Sequence, residues 1–159
     1  MKRWMGIAVA CVSLGAGTAS AAPTSGEVLQ KLHESNQKEI AAGKAAADHG
    51  TSKETKAFGR MLVKDHTAAD AKVTKLAKEE KVDLTSTAPM SDLPAAGASF
   101  DGDFAKMMLE DHQKDIGDVT AARDATDDAK LKKLLTDMLP TLQKHQDTAQ
   151  RILDKNAKS

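Results

Sequence analysis

The stretch from Leu131 to Ile152 reads LKKLLTDMLPTLQKHQDTAQRI, and its apolar residues decide the fold. Leu131, Leu134, Met138, Leu142, Ala149 and Ile152 recur at the spacing of one face of an α-helix. Lys132, Lys133, Asp137, Gln143 and Lys144 fill the other side. One position inside the apolar stripe is polar: His145. A strand would alternate every second residue, and no segment of the chain sustains that alternation.

Three further segments carry the same period. The first helix is expected from about Ser25 to Asp48, opening on Ser25 as cap and closing at Gly50. The second runs from about Ser52, its cap, to Lys81. The third runs from about Asp101 to Asp124, capped by Asp101 or Ser99, and the fourth from Thr126 or Asp127 to Asn156. Inward stripes are Phe58, Leu62, Ala69, Val73 and Leu76 on the second, and Phe104, Met108, Ile116, Val119 and Ala122 on the third. The first is weaker (Leu29, Leu32, Ile40, Gly43, Ala46), and its small residues would let a neighbouring helix come close. Residues 82–99, with Pro89, Pro94 and Gly97, form the one long connection. Short, long, short predicts an all-α four-helix bundle with one long crossover connection.

The halves also resemble each other. Asn36-Gln37-Lys38-Glu39-Ile40 matches His112-Gln113-Lys114-Asp115-Ile116, and Val63-Lys64-Asp65-His66 matches Leu142-Gln143-Lys144-His145. The offsets differ by three residues, so the match is imperfect, but a duplicated helical hairpin explains it better than chance.

The first residues read differently. Lys2 and Arg3 precede an apolar run from Gly6 to Leu14, and small residues lead to Ala19-Ser20-Ala21. This is the pattern of a secretory signal peptide over residues 1–21, cut after Ala21, leaving a domain over residues 22–159. The run is too short for a transmembrane anchor. A lipoprotein attached through Cys11 is the lesser option, since it strands an apolar tail. The expected location is therefore periplasmic or secreted. The only Cys and the only Trp lie in the leader, which excludes a disulfide or a thiolate nucleophile in the mature chain. Removing Lys2 and Arg3 from 23 basic residues leaves 21 against 23 acidic, a mixed surface near −2 with no footprint for nucleic acid.

Each helix directs a metal-competent side chain toward the core: Glu39 and Asn36 on the first, His66 on the second, His112 on the third, His145 on the fourth. A carboxylate or imidazole in an apolar interior is costly unless hydrogen-bonded, paired or coordinated. Imidazole and carboxylate together suit a divalent transition metal such as zinc, iron, manganese or copper. The candidate ligands are Glu39, His66, His112 and His145, with Asp115 in support. The competing reading satisfies each histidine by internal hydrogen bonds, with Asp65-His66 or Asp111-His112 as buried cross-helix pairs. With the second hairpin turn near residue 125, His112 and His145 would stand about 9 Å apart in height, which disfavours one compact site. Pro140 inside the fourth helix either shapes a pocket beside His145 or merely bends the helix around the core, and the second is favoured. Met61, Met107, Met108 and Met138 read as core filler rather than copper ligands. His33 and His49 fall near surface positions. No Ser/His/Asp arrangement or glycine-rich phosphate loop is present.

Four spaced motifs carry a family resemblance: Ser35–Gly43, Phe58–His66, Phe100-Asp101 with Met108 and His112, and Leu139–His145. Together they make the chain similar to the DUF4142 family of exported bacterial proteins, often labelled outer-membrane proteins. The resemblance implies a ferritin-like four-helix fold and leaves activity open. A spanning barrel does not fit, because alternating strands are missing. Ferritin-like di-iron proteins place Glu-x-x-His on two helices, whereas Val63 and Leu142 stand three residues before His66 and His145. The expectation is an exported, non-enzymatic protein that binds a metal ion, a small ligand or a partner, with a role in envelope stress. A metal-dependent redox enzyme and a purely structural or interaction module are the alternatives.

Overall fold

The computed structural model describes residues 23–85 and 93–158. These form α1 (Ser25–His49), α2 (Lys53–Glu80), α3 (Phe100–Ala125) and α4 (Ala129–Asn156), with no strand among the described residues. None of these helices is long and apolar enough to cross a membrane. The segment read as a signal peptide, Cys11 included, lies outside the described residues, as does Pro89 in the crossover.

Local chemistry sets the helix ends, in places differently from expectation. Thr24, not Ser25, caps α1. Its Oγ1 accepts the Glu27 amide at 3.3 Å while Glu27 Oε2 accepts the Thr24 amide at 2.8 Å. Ser25 cannot form this reciprocal box, because the residue three further on is Val28. Ser52 caps α2 through the Thr55 amide at 3.0 Å, as expected. At α3, Ser99 makes no side-chain cap bond. Asp101 reaches across instead, accepting the Thr51 amide at 2.7 Å and the Ser52 amide at 2.8 Å. Asp128 starts α4 slightly later than expected, accepting the Lys130 and Leu131 amides.

These bonds also fix the topology. Gly26 lies against Val82, so α1 begins where α2 ends. Asp101 and the His49–Phe100 ring contact place the start of α3 beside the α1–α2 turn, and Gly102 lies against Asn156 at the end of α4. Thus α1–α2 and α3–α4 are antiparallel hairpins, α2 and α3 run parallel, and the crossover returns the length of the bundle. The hairpins meet mainly through α2 and α4, and the α1–α3 seam is looser.

The core is divided. One apolar cluster gathers Val28, Leu29, Leu32, Val73, Leu131 and Leu135 with their neighbours. The other holds Ala42, Ala46, Phe58, Leu62, Phe100, Phe104 and Met108, with Phe100 stacked on Phe104 at 5.6 Å. Between them runs a buried polar layer of Asn36, Glu39, His66, His112 and His145. Met108 and Met138 sit inside the clusters, as filler. Pro140 lies on the exposed face of an unbroken α4 and borders neither cavity next to the histidines.

The small residues of α1 act as expected, and their partner is Gly59. A Cβ on Gly59 would meet Gly43 O at 2.5 Å and Ala47 N at 2.7 Å, and one on Gly43 would meet Gly59 O at 2.7 Å. Gly→Ala inside a helix ordinarily stabilises by about 1 kcal/mol. Here the obstacle is backbone, which cannot rotate away, so Gly59→Ala is expected to destabilise by about 1–3 kcal/mol. Urea denaturation of both proteins checks the sign. A stabilised variant would mean that the two backbones are not in contact.

Candidate metal centre

The polar layer is built from one turn of each helix. His66 sits one turn below Leu62 and His112 one turn below Met108, so both rings point where those apolar residues point. His66 is 3 % exposed, and His112 and His145 are fully buried. Their ring centroids are 5.7 Å (His66–His112), 5.1 Å (His66–His145) and 5.2 Å (His112–His145) apart. One ring nitrogen from each lies within 4.8 Å of the other two.

The expected height difference between His112 and His145 does not hold. The α3–α4 turn centres on Asp127 rather than residue 125. His112 therefore lies roughly 15 residues before it and His145 roughly 18 after it, an offset of about 4.5 Å. Side chains lean toward the N-terminus of their own helix. In an antiparallel pair His112 leans up and His145 down, which removes the remaining gap. Their facing nitrogens, His112 Nε2 and His145 Nδ1, are 3.2 Å apart.

Each ring's second nitrogen has a partner that assigns its proton. His66 Nδ1–H donates to Asn36 Oδ1 at 2.9 Å, and His112 Nδ1–H donates to the Met108 carbonyl at 2.9 Å. His145 Nε2–H donates to Asp65 Oδ2 at 3.1 Å. A neutral imidazole has one N–H, so the remaining nitrogens carry lone pairs. Two of these lone pairs face each other between His112 and His145, and the third, His66 Nε2, has no hydrogen-bond partner at all.

An extra proton would resolve the clash between His112 and His145, but the environment opposes it. Burial and then the neighbouring His145 push His112 down to about 4. Burial likewise lowers His145, against the pull of Asp65. Burial, then His145 and His112, push His66 down to about 3. The triad is thus neutral at pH 7, with three lone pairs turned inward in the middle of the core.

The two carboxylates expected with the histidines are placed differently. Glu39 is buried, with Oε2 unpartnered, and burial followed by Asp115 and Asp111 pushes it up to about 8. Its Oε1 lies 4.0 Å from His112 Nδ1, the nitrogen committed to Met108. With Glu39 protonated and His112 neutral, this contact is not an ion pair. Asp115 is half-buried, accepts the Ser35 hydroxyl at 2.8 Å and stands outside the triad. Burial raises its carboxyl despite that bond. The orienting residues Asn36 and Asp65 were visible on inward or flanking positions, but their pairing with particular rings was not. His33 is not idle either, since it bonds Asp70 at 2.6 Å across the first hairpin.

The internal repeat reappears as matched contacts. Asn36 with His66 in the first hairpin corresponds to His112 with His145 in the second, and both pairs are in direct side-chain contact, at 2.9 and 3.2 Å. The repeat thus predicts which helices pair in the layer, with asparagine standing where a fourth histidine would be.

A family model described as "Domain of unknown function (DUF4142)" matches residues 12–152, most of the chain. No curated protein and no solved structure matches it.

The shifted groups set opposite limbs of pH dependence in the metal-free protein. Unfolded histidines bind protons below 6.5 that the folded ones refuse, so stability rises with pH between about 3 and 6.5. Glu39 keeps its proton when folded and loses it near 4.5 when unfolded, so its share falls as pH climbs from 4.5 to about 8. Melting temperatures from pH 4 to 9, with chelator, should peak near about pH 6.5. Glu39→Gln should abolish the alkaline decline and keep the acid limb. An unchanged decline in that variant would remove Glu39 as its cause.

Proposed function

The chain belongs to the DUF4142 family, and we propose that it is an exported, non-enzymatic protein that holds one divalent transition-metal ion on His66, His112 and His145. The observation that carries the reading is the 3.2 Å approach of His112 Nε2 to His145 Nδ1, while the other nitrogen of each ring is engaged by the Met108 carbonyl and by Asp65. Two nitrogens on a tetrahedral ion at about 2.0–2.1 Å stand about 3.3 Å apart, close to the separation found here. The widest separation in the triad, up to 4.8 Å, closes by about 1.5 Å to reach the same edge. A cation placed there replaces the disfavoured proton and takes up the unpartnered His66 Nε2.

The shell around the rings supports this assignment. Ligating histidines generally donate their second N–H to a carboxylate, a carbonyl or another fixed acceptor, which sets tautomer and orientation. Asp65, the Met108 carbonyl and Asn36 play these parts. Three imidazoles without a carboxylate favour zinc or copper over harder ions such as manganese. Three protein ligands also leave a position for water or another donor. Glu39 and Asp115 stand beside this set rather than in it: Glu39 keeps its proton against the His112 nitrogen committed to Met108, and Asp115 accepts from Ser35.

Zinc titrated into chelator-treated protein should bind one ion per chain. At a free concentration about 100 times Kd it should stabilise the fold by about 2.7 kcal/mol, a shift of several degrees in Tm. His66→Ala and His145→Ala should lose most of this shift while remaining folded by circular dichroism. Equal shifts in wild type and both variants, or none with either zinc or copper, would defeat the proposal. Export rests on the N-terminal pattern alone. It predicts a periplasmic or secreted protein whose first residue is Ala22, and recovery from the cytoplasm with residues 1–21 attached would reject it.

A further inference from the structure

We propose that the cavity between α1 and α3 binds an apolar molecule carrying one ammonium group, and that the ammonium sits on Asp115. The loose seam between these helices holds a cavity of about 760 Å³, within the range of small-molecule sites. Its inner wall is apolar and buried, formed by Val28, Leu32, Val119, Leu135 and Met138. The charged groups stand on its two lips: Glu27 and Lys31 from α1, Asp115 and Asp118 from α3. Three carboxylates thus face one lysine.

The partners of these carboxylates decide which one is available. Glu27 closes the cap of α1 on Thr24. Asp118 accepts both Lys31 and Lys114, each at 2.7 Å. Asp115, one turn away, receives neither lysine. Its Oδ2 accepts the Ser35 hydroxyl at 2.8 Å, and its Oδ1 has no hydrogen bond among the described residues. Burial opposes its charge, and Asp111 close by is a second acid in the same position. A half-buried carboxylate without a cation gains most from a charge-assisted hydrogen bond, roughly twice as strong as a neutral one. A hydroxyl would bond Oδ1 without neutralising it, and a ligand carboxylate would add to the negative charge.

The floor of the cavity supplies no competing anchor. Asn36 Oδ1 accepts the His66 Nδ1–H, and Asn36 Nδ2 is buried with no acceptor. His66 Nε2 is turned toward the other two imidazoles. Both orphaned atoms are shielded from the open space, so the head group is held at the α3 lip.

The wall specifies the tail. From Asp115 to Ala125 is about 10 residues of α3, about 15 Å at the helical rise. Over that length α3 presents Val119 and Ala122, and α1 presents Leu32 and Val28. An unbranched chain lying there passes beneath the exposed Lys31–Asp118 pair and points toward Pro23.

This inference does not rest on the metal reading, because Asp115 stands outside the triad. Chelator is kept in the test so that no amine is captured as a metal ligand. The mature protein is titrated calorimetrically with octylamine, 1-octanol and octanoate. One octylamine should bind per chain, with octanol and octanoate at least about tenfold weaker, the loss expected for one hydrogen bond to a charged group. Asp115→Asn, which can still accept from Ser35, should erase the preference for amine over alcohol. Ala122→Phe, which fills the cavity two turns from Asp115, should abolish octylamine binding. The preference among probes is read on the wild-type protein, so it decides even where a variant fails to fold. Three results would overturn the proposal: no octylamine binding, equal or tighter binding of octanol or octanoate, or undiminished octylamine binding by either folded variant.

Discussion

Three imidazoles share a dry interior, and every other feature of the bundle's middle follows from keeping them uncharged. An imidazolium would resolve their mutual contacts but would have to give up water to do so, and burial holds His66 and His112 well below their ordinary titration range. Neutral rings must be oriented, because each has one donor and one acceptor. Asn36, the Met108 carbonyl and Asp65 supply three different acceptors on three different helices. The layer is therefore a registration device as well as a site. Sliding α1, α2 or α4 by one turn would break at least one of these bonds and bury an orphaned N–H, whereas the His112 bond lies within α3.

The same neutrality explains Glu39. In a layer with no cation it has no counter-charge, and Asp115 and Asp111 add to the cost of ionising it. It keeps its proton as a buried acid. The charge state of Glu39 and the occupancy of the triad are thus linked, since a cation nearby would favour the carboxylate. The division of the core into two apolar clusters has the same origin: the polar layer interrupts a continuous hydrophobic stripe on all four helices.

Much of this was legible in the sequence. Helical period, short and long connections and the polar positions within the stripes gave the four helices, the crossover and all three histidines. Helix ends were less so: choosing Thr24 over Ser25 required noticing that only Thr24 has a glutamate three residues on, and Asp101 serves a neighbouring helix, which no local pattern encodes. The depth of His112 relative to His145 depends on where the α3–α4 turn centres and on side-chain lean, and neither follows from rise per residue. Glu39 and Asp115 have metal-competent side chains on suitable faces, but whether a carboxylate reaches the facing nitrogens depends on rotamers and on bonds such as Ser35–Asp115. The glycine contact was half legible. Gly43 pointed to a close neighbour, yet only the tertiary fold picks out Gly59.

The matched pairs, Asn36 with His66 and His112 with His145, carry one more implication. A chain faithful to its own internal repeat would set four rings at this depth, related by a twofold axis, and the two faces of the layer would be interchangeable. The single amide breaks that symmetry. It gives the middle of the molecule a front and a back, with aromatic nitrogen on one side and a free amide donor on the other. Directionality, usually read from a protein's outer shape, is here written into its centre by one departure from repetition.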